Sequence, residues 1–234
     1  MREATTKAQY RHELKYFISQ GEYTLLSGRL KLTMELDPNA RENGGDYFIR
    51  SLYFDDPLDS AFREKMRGND YRDKMRLRTY NMGQDGGKLE RKHKKESYIY
   101  KQSLSLSRPE CDMLLAGSYR FLLQRQEPFA HEMFREFTTN YIKPVVLVDY
   151  DREAYIYPYQ DVRITFDKNL HTGMRDTRIF EPSLPTFPVL EEYDMIMEVK
   201  FNGHLPAYIR DLIQCGAHSR SAISKYCMCR KYEV

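Results

Sequence analysis

The sequence contains no tryptophan, only four cysteines and no long apolar run. No hydrophobic stretch approaches the roughly 20 residues that a transmembrane helix requires. Residues 1–16 are polar and charged, unlike a secretory signal peptide. The cysteines form no C-x-x-C pair, so the common zinc motifs are excluded and reduced thiols are the simpler interpretation. These absences predict a cytoplasmic protein without direct membrane insertion.

Several common catalytic motifs are also missing. The sequence has no G-x-x-x-x-G-K-[ST] phosphate loop and no G-x-S-x-G nucleophile elbow. Its histidines are scattered without the spacing of metal ligands. The 37 basic residues nearly balance the 34 acidic ones, giving a net charge of only +3. A general nucleic-acid-binding protein carries a larger basic excess, so no nucleic-acid partner is expected.

The residues that are present predict an ordinary globular fold rich in strands. Hydrophobic residues make up 41% of the 234 residues, which is enough for a sizeable core and fits one domain spanning 1–234. The aromatic side chains are 19 tyrosines and 12 phenylalanines, and both types pack well on a pleated sheet. What matters for function is where the charges lie along the strands.

Helix and strand signals alternate along the chain. Capping boxes at Ser19 and Ser107 predict helices that run to about residues 36 and 116, and two further helices are predicted over 128–138 and 206–214. Predicted strands cover residues 12–18, 47–54, 71–80, 88–94, 98–102, 145–157, 162–167 and 195–201. Most strands follow one another through short turns such as the loop 83–87. This order predicts an α+β fold, an antiparallel sheet with helices packed on it.

One face of the strand at 71–80 carries four successive cations, because side chains two residues apart share a face. They are Arg72, Lys74, Arg76 and Arg78. Comparable charged sets lie on other strands: Arg11, Glu13 and Lys15; Lys88, Glu90, Lys92 and Lys94; Tyr150 and Arg152; Asp161, Arg163 and Asp167; Glu198 and Lys200. Like charges in such rows repel unless water or a counter-charge neutralises them.

Two interpretations of these rows are open. An antiparallel sheet often has one face in water, and for any single strand that explains the charges. Six strands that repeat the pattern with a preference for arginine are less easily explained, since arginine matches phosphate oxygens with a planar fork of donors. If the sheet curls with its charged face inward, the cations converge on one volume. Such a volume needs a polyanion, and the interspersed glutamates could hold a hard divalent cation.

Eight short motifs in this order resemble the VTC domain, in its bacterial stand-alone form. The VTC domain is the polyphosphate polymerase domain of vacuolar transporter chaperone complexes, a member of the triphosphate tunnel metalloenzymes in the CYTH-like superfamily. The motifs are residues 13–16 (ELKY), 49–55 (IRSLYFD), 74–80 (KMRLRTY), 90–92 (ERK), 150–152 (YDR), 162–167 (VRITFD), 198–200 (EVK) and 224–226 (SKY). They cover nearly the whole chain. The wider superfamily opens with Glu-x-Glu-x-Lys, whereas this chain has Arg11 at the first position.

The resemblance implies a closed tunnel of eight antiparallel β-strands with helices packed outside. It also implies ATP as phosphoryl donor, polyphosphate as product, and Mn²⁺ or Mg²⁺ as cofactor. Together with the charged faces it predicts catalytic roles for Arg76, Arg78, Arg152, Arg163 and Glu198. Phosphate-binding roles are predicted for Lys15, Lys74, Lys92, Tyr150, Lys200, Ser224 and Lys225. The predicted metal ligands are Glu198, Glu13 and Glu90.

The resulting hypothesis is a polyphosphate polymerase that transfers the ATP γ-phosphoryl group to a growing chain. A triphosphatase that uses water, and a receptor that binds polyphosphate or triphosphate without turnover, remain open alternatives. No protein partner is indicated. Lys225, placed after the last predicted helix, is expected to close one tunnel mouth. Charge reversal by Arg76→Glu is expected to abolish phosphate binding while the fold survives.

Overall fold

The computed structural model describes residues 12–96, 98–190, 195–214 and 222–231. Its strands are β1 (His12–Ile18), β2 (Glu35–Leu36), β3 (Tyr47–Asp55), β4 (Tyr71–Tyr80), β5 (Gly86–Lys95), β6 (Tyr98–Ser107), β7 (Lys143–Tyr157), β8 (Val162–Met174), β9 (Phe187–Pro188) and β10 (Met195–Phe201). Its helices are α1 (Gln20–Lys31), α2 (Pro38–Glu42), α3 (Ser60–Arg67), α4 (Arg108–Leu115), α5 (Pro128–Thr139), α6 (Ala207–Leu212) and α7 (Lys225–Arg230), with a 3₁₀ helix at Tyr119–Gln124. Arg11 and Cys215, which entered the sequence predictions, lie outside the described residues.

The eight long strands form one sheet in the order β1-β10-β8-β7-β3-β4-β5-β6. Every neighbouring pair is antiparallel, and the short strands β2 and β9 add to β7 and β8. The predicted α+β class with a large antiparallel sheet is therefore confirmed. Within the described ranges, none of the helices has the length and apolar character that a bilayer crossing requires.

The closed tunnel predicted from the resemblance is not seen. The hydrogen-bonded path ends at β1 on one side and β6 on the other, and no ladder joins them in the part of the chain that the structure describes. The sheet nevertheless curls until its edges meet through side chains. The rings of His12 in β1 and Tyr98 in β6 lie 5.6 Å apart between centroids, and Lys92 Nζ in β5 donates to Glu13 in β1 at 2.8 Å. Side chains thus occupy the seam where a closed barrel would have backbone hydrogen bonds.

The predicted helix starts are confirmed, but the first helix is shorter than predicted. Glu22 Oε2 accepts from the backbone N–H of Ser19 at 2.8 Å, which completes the capping box. The helix ends at Lys31 instead of near residue 36, because Glu35–Leu36 leaves it to pair with β7 as β2. The helix predicted after Ser107 is present as α4 (Arg108–Leu115), and the helix predicted over 128–138 is present as α5 (Pro128–Thr139).

Helices cover the outer face of the sheet, and two short helices, α3 and α7, border its inner face. On the outer side, α4 and α5 pack against β3 to β6 through residues such as Leu77 and Phe137. Helices α1 and α6 pack against β8 and β10 in the same way. Helix α7 instead packs with Tyr226 on inner-face residues of β3 and β7, including Ile49 and Tyr150. This leaves the rest of the concave face to polar and charged side chains.

Asp55, at the end of β3, holds two helices to this inner face. Its side chain is buried and accepts from the backbone N–H groups of Ala61 and Phe62 at 3.0 and 3.1 Å, at the start of α3. It also accepts from the hydroxyl of Tyr226 in α7 at 2.5 Å. One carboxylate therefore positions both helices that border the concave face.

Replacing this carboxylate in Asp55→Ala is expected to lower the free energy of unfolding by about 2–4 kcal/mol, because the buried Tyr226 hydroxyl and two partly buried N–H groups lose their acceptor. The exposed Asp112, whose one ion-pair partner among the described residues is Arg108 on the same helix, gives a control. Asp112→Ala is expected to cost less than about 0.5 kcal/mol. Urea denaturation of both variants measures the difference, and equal costs would show that Asp55 does not anchor the two helices.

Candidate functional site

A cavity of about 960 Å³ lies on the concave face of the sheet, and each of the eight long strands contributes to its lining. Its basic residues are Lys15, Lys65, Arg72, Lys74, Arg76, Arg78, Lys92, Lys94, Lys101, Arg152, Arg163, Lys200 and Lys225. In the described lining these far outnumber the acidic residues Glu13, Glu96 and Glu198. Strand alternation explains the arrangement, since β4 sends every second residue inward. The curled sheet thus makes the charged face concave, as the second of the two interpretations of the charged rows predicts.

The structure brings together all the predicted site residues except one. The cavity is lined by Arg76, Arg78, Arg152, Arg163, Glu198, Lys15, Lys74, Lys92, Tyr150, Lys200, Ser224, Lys225 and Glu13. The exception is Glu90, which lies at the edge of the cavity beneath Arg76 and does not line it. These positions show that the residues share a site, and their chemical roles remain predictions.

Four charges on neighbouring strands form the centre of the network. Antiparallel register places Lys15 of β1 opposite Glu198 of β10, and Glu13 opposite Lys200. The Lys15–Glu198 pair measures 2.9 Å and the Lys200–Glu198 pair 2.8 Å between nitrogen and oxygen. Longer contacts of 3.8 and 3.6 Å join Glu13 to the same two lysines. The two carboxylates are thus linked through shared ammonium groups.

These contacts keep the carboxylates ionised. Burial alone would raise the pKa of Glu13 and of Glu198, but the surrounding lysines hold the pKa of each well below its ordinary value. Burial would lower the pKa of Lys15, and the two glutamates raise it instead. Glu13, Glu198 and Lys15 are therefore charged at neutral pH.

Asp167 of β8 anchors two of the predicted cations. It lies opposite Arg152 in the ladder and accepts from its Nε and Nη2 atoms at 2.6 and 2.8 Å. It also pairs with the ammonium group of Lys225. Asp167 belongs to one of the charged rows of the sequence but had no predicted role, since the ladder register that joins it to Arg152 is not visible in the sequence.

The two arginines of β4 have different partners. Arg76 pairs with the buried Glu90 at 2.6 Å and donates to the hydroxyl of Tyr53 at 3.0 Å. Arg78 donates to Ser51 Oγ at 3.1 Å and to the hydroxyl of Tyr150 at 3.0 Å. Arg76 therefore neutralises a buried carboxylate. This corrects the expectation that the fold would survive Arg76→Glu, because the substitution would place two carboxylates together in a buried site.

Arg163 of β8 is the most exposed of the predicted catalytic arginines, with 35% of its side chain accessible. It pairs with Asp37, just before α2, and donates to the hydroxyl of Tyr47 at 3.0 Å. Its Nε atom is buried and makes no hydrogen bond within the described residues. Asp37 and Tyr47 were missed from the sequence, because the short helix α2 that brings Asp37 to the site has no clear periodic signal.

Helix α7 brings Ser224 and Lys225 into the cavity. Ser224 caps this helix, its Oγ accepting from the backbone N–H of Cys227 at 3.3 Å. Lys225 is the first residue of α7, and its side chain is only 7% accessible. Lys225 therefore begins a further helix instead of following the last one, and its expected role at a tunnel mouth stays a prediction. Six residues of helix are too few to produce a periodic pattern, which is why the helix was not predicted.

Lys65, from α3, is a further cavity residue that the sequence analysis did not identify. Its ammonium group donates to the carbonyl oxygen of Ala222 at 2.6 Å, which ties α3 to the segment before α7. The last turn of α3 carries Lys65 and Arg67 and is followed by Gly68. Basic residues in the last turn and a glycine after it are typical of a helix C-terminus. That local pattern was a usable signal for the helix, although not for its position beside the cavity.

A divalent cation, either Mn²⁺ or Mg²⁺, requires oxygen ligands. In the described ranges no group of three or more His, Cys, Asp or Glu side chains is arranged to hold a metal ion. Glu13 and Glu198 still lie on adjacent strands of the lining and share two lysines. Mg²⁺ is commonly bound by one or two carboxylates together with substrate phosphates. This pair therefore fits a cation that binds together with phosphates, and a metal-binding role for Glu90 stays a prediction.

Lys74 gives the site a pH dependence. Burial, together with the charges of Lys15, Lys92 and Lys65, lowers its pKa to about 7, although Cys227 acts in the opposite direction. A bound polyanion would raise the pKa again, so binding above pH 7 must take up protons and affinity must fall as pH rises through about 7.

At pH 8 we expect the wild-type protein to take up about one proton more per bound tripolyphosphate than Lys74→Arg, whose guanidinium stays protonated. At pH 6 the difference should vanish, because Lys74 is then already charged. Titration calorimetry in buffers of different ionisation enthalpy measures the uptake. Identical uptake by both proteins at pH 8 would exclude Lys74 as the titrating group.

Comparison with known proteins places this geometry in a family. The family model of the VTC domain matches residues 10–234. No curated protein matches the chain significantly. Among solved structures the chain is similar to the adenylyl cyclase candidate HpAC1 from Hippeastrum, in which a triphosphatase activity dominates, with a TM-score of 0.57, 13% identity and 97% of both chains covered. It is also similar to an adenylate cyclase candidate from Bacillus halodurans, with a TM-score of 0.51, 13% identity and coverage of 83% of this chain and 82% of that chain.

At 13% identity the two solved structures establish the fold alone, a large antiparallel sheet with helices packed on it. The family model is the stronger observation, since it extends over nearly the whole chain and includes every strand of the cavity. The eight motifs found in the sequence all fall within the matched residues. The chain belongs to the VTC domain family.

Proposed function

We propose that the cavity binds a linear chain of phosphates and that the protein transfers the γ-phosphoryl group of ATP to the end of a polyphosphate chain. The observation that carries this proposal is the convergence of lysine and arginine from seven strands on one cavity, with few carboxylates to neutralise them. A chain of phosphates carries repeated negative charge in a narrow, flexible form. It therefore matches a cavity lined by cations from many strands better than a single compact anion does.

Phosphoryl transfer depends mainly on positioning and on neutralising charge. In the proposed mechanism, Arg76, Arg78, Arg152 and Arg163 donate to the equatorial oxygens of the transferred group. The surrounding contacts to phosphate come from Lys15, Lys74, Lys92, Tyr150, Lys200, Ser224 and Lys225. Most of these cations already lie beside buried acceptors, which fixes their side chains before a ligand arrives and lowers the entropic cost of binding.

Glu198 and Glu13 would hold the divalent cation, Mn²⁺ or Mg²⁺, which when bound neutralises charge on the phosphate oxygens. The chain's own residues align the donor and the acceptor. An oxygen of the terminal phosphate of the polyphosphate chain forms a new bond to the γ-phosphorus, and ADP leaves with the electrons of the broken bond. The cations keep both anionic partners in the cavity despite their mutual repulsion.

We propose further that the cavity is a tunnel open at both ends, closed along the seam between β1 and β6. The approach of His12 to Tyr98 and the ion pair between Lys92 and Glu13 favour this closure. A tunnel would let a polymer leave at one end while ATP enters at the other. A cytoplasmic location for this reaction remains a prediction from the sequence.

Two other functions use the same residues. Attack by water would make the protein a triphosphatase, and the triphosphatase activity of the structurally similar Hippeastrum protein favours this alternative. A receptor would bind polyphosphate without turnover. The polymerase and the triphosphatase differ in the acceptor of the phosphoryl group, and the receptor transfers none.

Incubation with ATP and Mn²⁺, followed by a gel stained for polyphosphate, distinguishes them. A ladder that lengthens with time is the expected result. Release of inorganic phosphate without a ladder would replace the polymerase by a triphosphatase. If neither product forms while polyphosphate still raises the melting temperature, the protein is a receptor. If polyphosphate does not bind at all, the proposal fails in every form.

A further inference from the structure

Lys74 differs from the other lysines at the centre of the cavity. Each of the others pairs with a carboxylate: Lys15 and Lys200 with Glu198, Lys92 with Glu13, and Lys225 with Asp167. No carboxylate in the described residues forms an ion pair with Lys74. Its ammonium nitrogen instead lies 2.5 Å from Ser224 Oγ and 5.4 Å from the centre of the Tyr226 ring.

The surroundings of Lys74 disfavour a positive charge. Its direct cross-strand neighbour in the β4–β5 ladder is Lys92, and like charges in that position repel. Lys15 of β1 and Lys65 of α3 add to this repulsion, while Cys227 of α7 opposes it. Burial is the largest cause, and together these effects lower the pKa of Lys74 to about 7. In roughly half of the molecules, the Lys74 side chain is then a neutral amine at pH 7.

We propose that Lys74 is a nucleophile and that acyl phosphates transfer their acyl group to its Nζ atom. A desolvated lysine beside other cations is a recognised way to activate an amine. The arginines of the cavity would bind the phosphate part of the reagent, as Arg76 and Arg78 are proposed to do with polyphosphate. Selection of acyl phosphates therefore rests on the proposed function, whereas the reactivity of the amine does not.

The reaction is balanced without a further reagent. The lone pair of the neutral amine attacks the carbonyl carbon and forms a C–N bond. The bond from that carbon to the phosphate oxygen breaks, and the phosphate leaves with the electron pair. The nitrogen loses a proton to water, directly or through the hydroxyl of Ser224. The product is a neutral amide.

Acylation would change the cavity in two ways. It removes the charge that Lys74 contributes at lower pH, and it adds an acyl group next to Ser224 and Tyr226, where a phosphate chain is proposed to lie. Both effects weaken anion binding. The same cavity that binds phosphate chains would thus be inactivated by small acyl phosphates, in competition with its own ligands.

The test is acetylation of the intact protein by acetyl phosphate at pH 7.5, with each lysine followed by peptide mass spectrometry. Lys74 is expected to react at least about tenfold faster than Lys15 and Lys225, whose ammonium groups stay protonated. Its rate should level off above about pH 8, while theirs continues to rise. Tripolyphosphate should protect Lys74, and Lys74→Arg should remove the fast reaction without altering the melting temperature strongly.

A neutral acetyl ester, which has no phosphate, separates the two parts of the inference. It should also prefer Lys74 over Lys15, but without protection by low concentrations of inorganic phosphate. If tripolyphosphate binds and yet neither reagent prefers Lys74, the inference is overturned and the proposed function stands. If the ester prefers Lys74 while acetyl phosphate shows no added preference and tripolyphosphate does not bind, acyl-phosphate selection and the proposed function both fail.

Discussion

Replacing Lys74 with glutamate is expected to stabilise the fold and, in the same protein, to abolish binding of tripolyphosphate. Lys74 faces Lys92 across the strand pair and has Lys15 and Lys65 nearby. A carboxylate there turns repulsion into attraction and should raise the free energy of unfolding by about 1 kcal/mol. The anion loses one charged donor and meets a like charge, so its affinity should fall by at least about 100-fold.

The opposite signs of these two effects make Lys74→Glu a sharper test than Arg76→Glu. Arg76 neutralises the buried Glu90, so its reversal damages the fold as well as the cavity. Lys31→Glu is the matched control, because it makes the same change of net charge at an exposed position that does not line the cavity. Denaturation and titration calorimetry give both quantities. Near wild-type affinity in Lys74→Glu would refute anion binding in this cavity.

Glu198→Gln is expected to give the second large effect, a loss of stability with retention of anion binding. Glu198 contacts Lys15 and Lys200 closely and Arg152 and Lys225 at 3.6 Å. Without its charge these buried cations repel one another, at a cost of about 3–5 kcal/mol in phosphate-free buffer. Tripolyphosphate should restore the missing negative charge, so it should raise the melting temperature more in the variant than in the wild type.

The same variant should lose metal-dependent turnover, because Glu198 is the carboxylate proposed to hold the cation. Glu90→Gln provides the comparison. Glu90 is equally buried and pairs with Arg76 and Lys101, but it does not line the cavity. We expect Glu90→Gln to be destabilised yet to keep its metal dependence. If Glu198→Gln kept full turnover, or lost anion binding to the same extent as turnover, its role would be only to orient neighbouring cations.

Strand alternation made the cavity predictable from the sequence. The row from Arg72 to Arg78 lines the cavity as predicted, because a strand sends every second side chain to one face whatever its partners are. The capping boxes at Ser19 and Ser107 fixed two helix starts for a similarly local reason. Local rules therefore specified which residues share a face.

The partners across strands could not be predicted, since they depend on register and on short helices. Asp167 became an anchor for Arg152 only because the β7–β8 ladder places the two opposite each other. Strand β8 also continues to Met174, past the predicted end at residue 167, because its second half pairs with β7 and β9. Helices α2 and α7 are too short to show a periodic pattern, yet they supply Asn39 and Lys225 to the cavity lining.

The pairing of β1 with β10 has a consequence for biogenesis. Lys15 is joined to Glu198 and to the carbonyl oxygen of Ile223, a contact that spans 208 positions of the sequence. A ribosome releases the chain from its N-terminal side, so Lys15 of β1 emerges long before Glu198 and Ile223, whereas the cations of β4 and β5 find Glu13 and Glu90 early. Contacts so distant in sequence also form slowly. Lys15 therefore reaches its full set of partners only late in synthesis, once residue 223 has emerged.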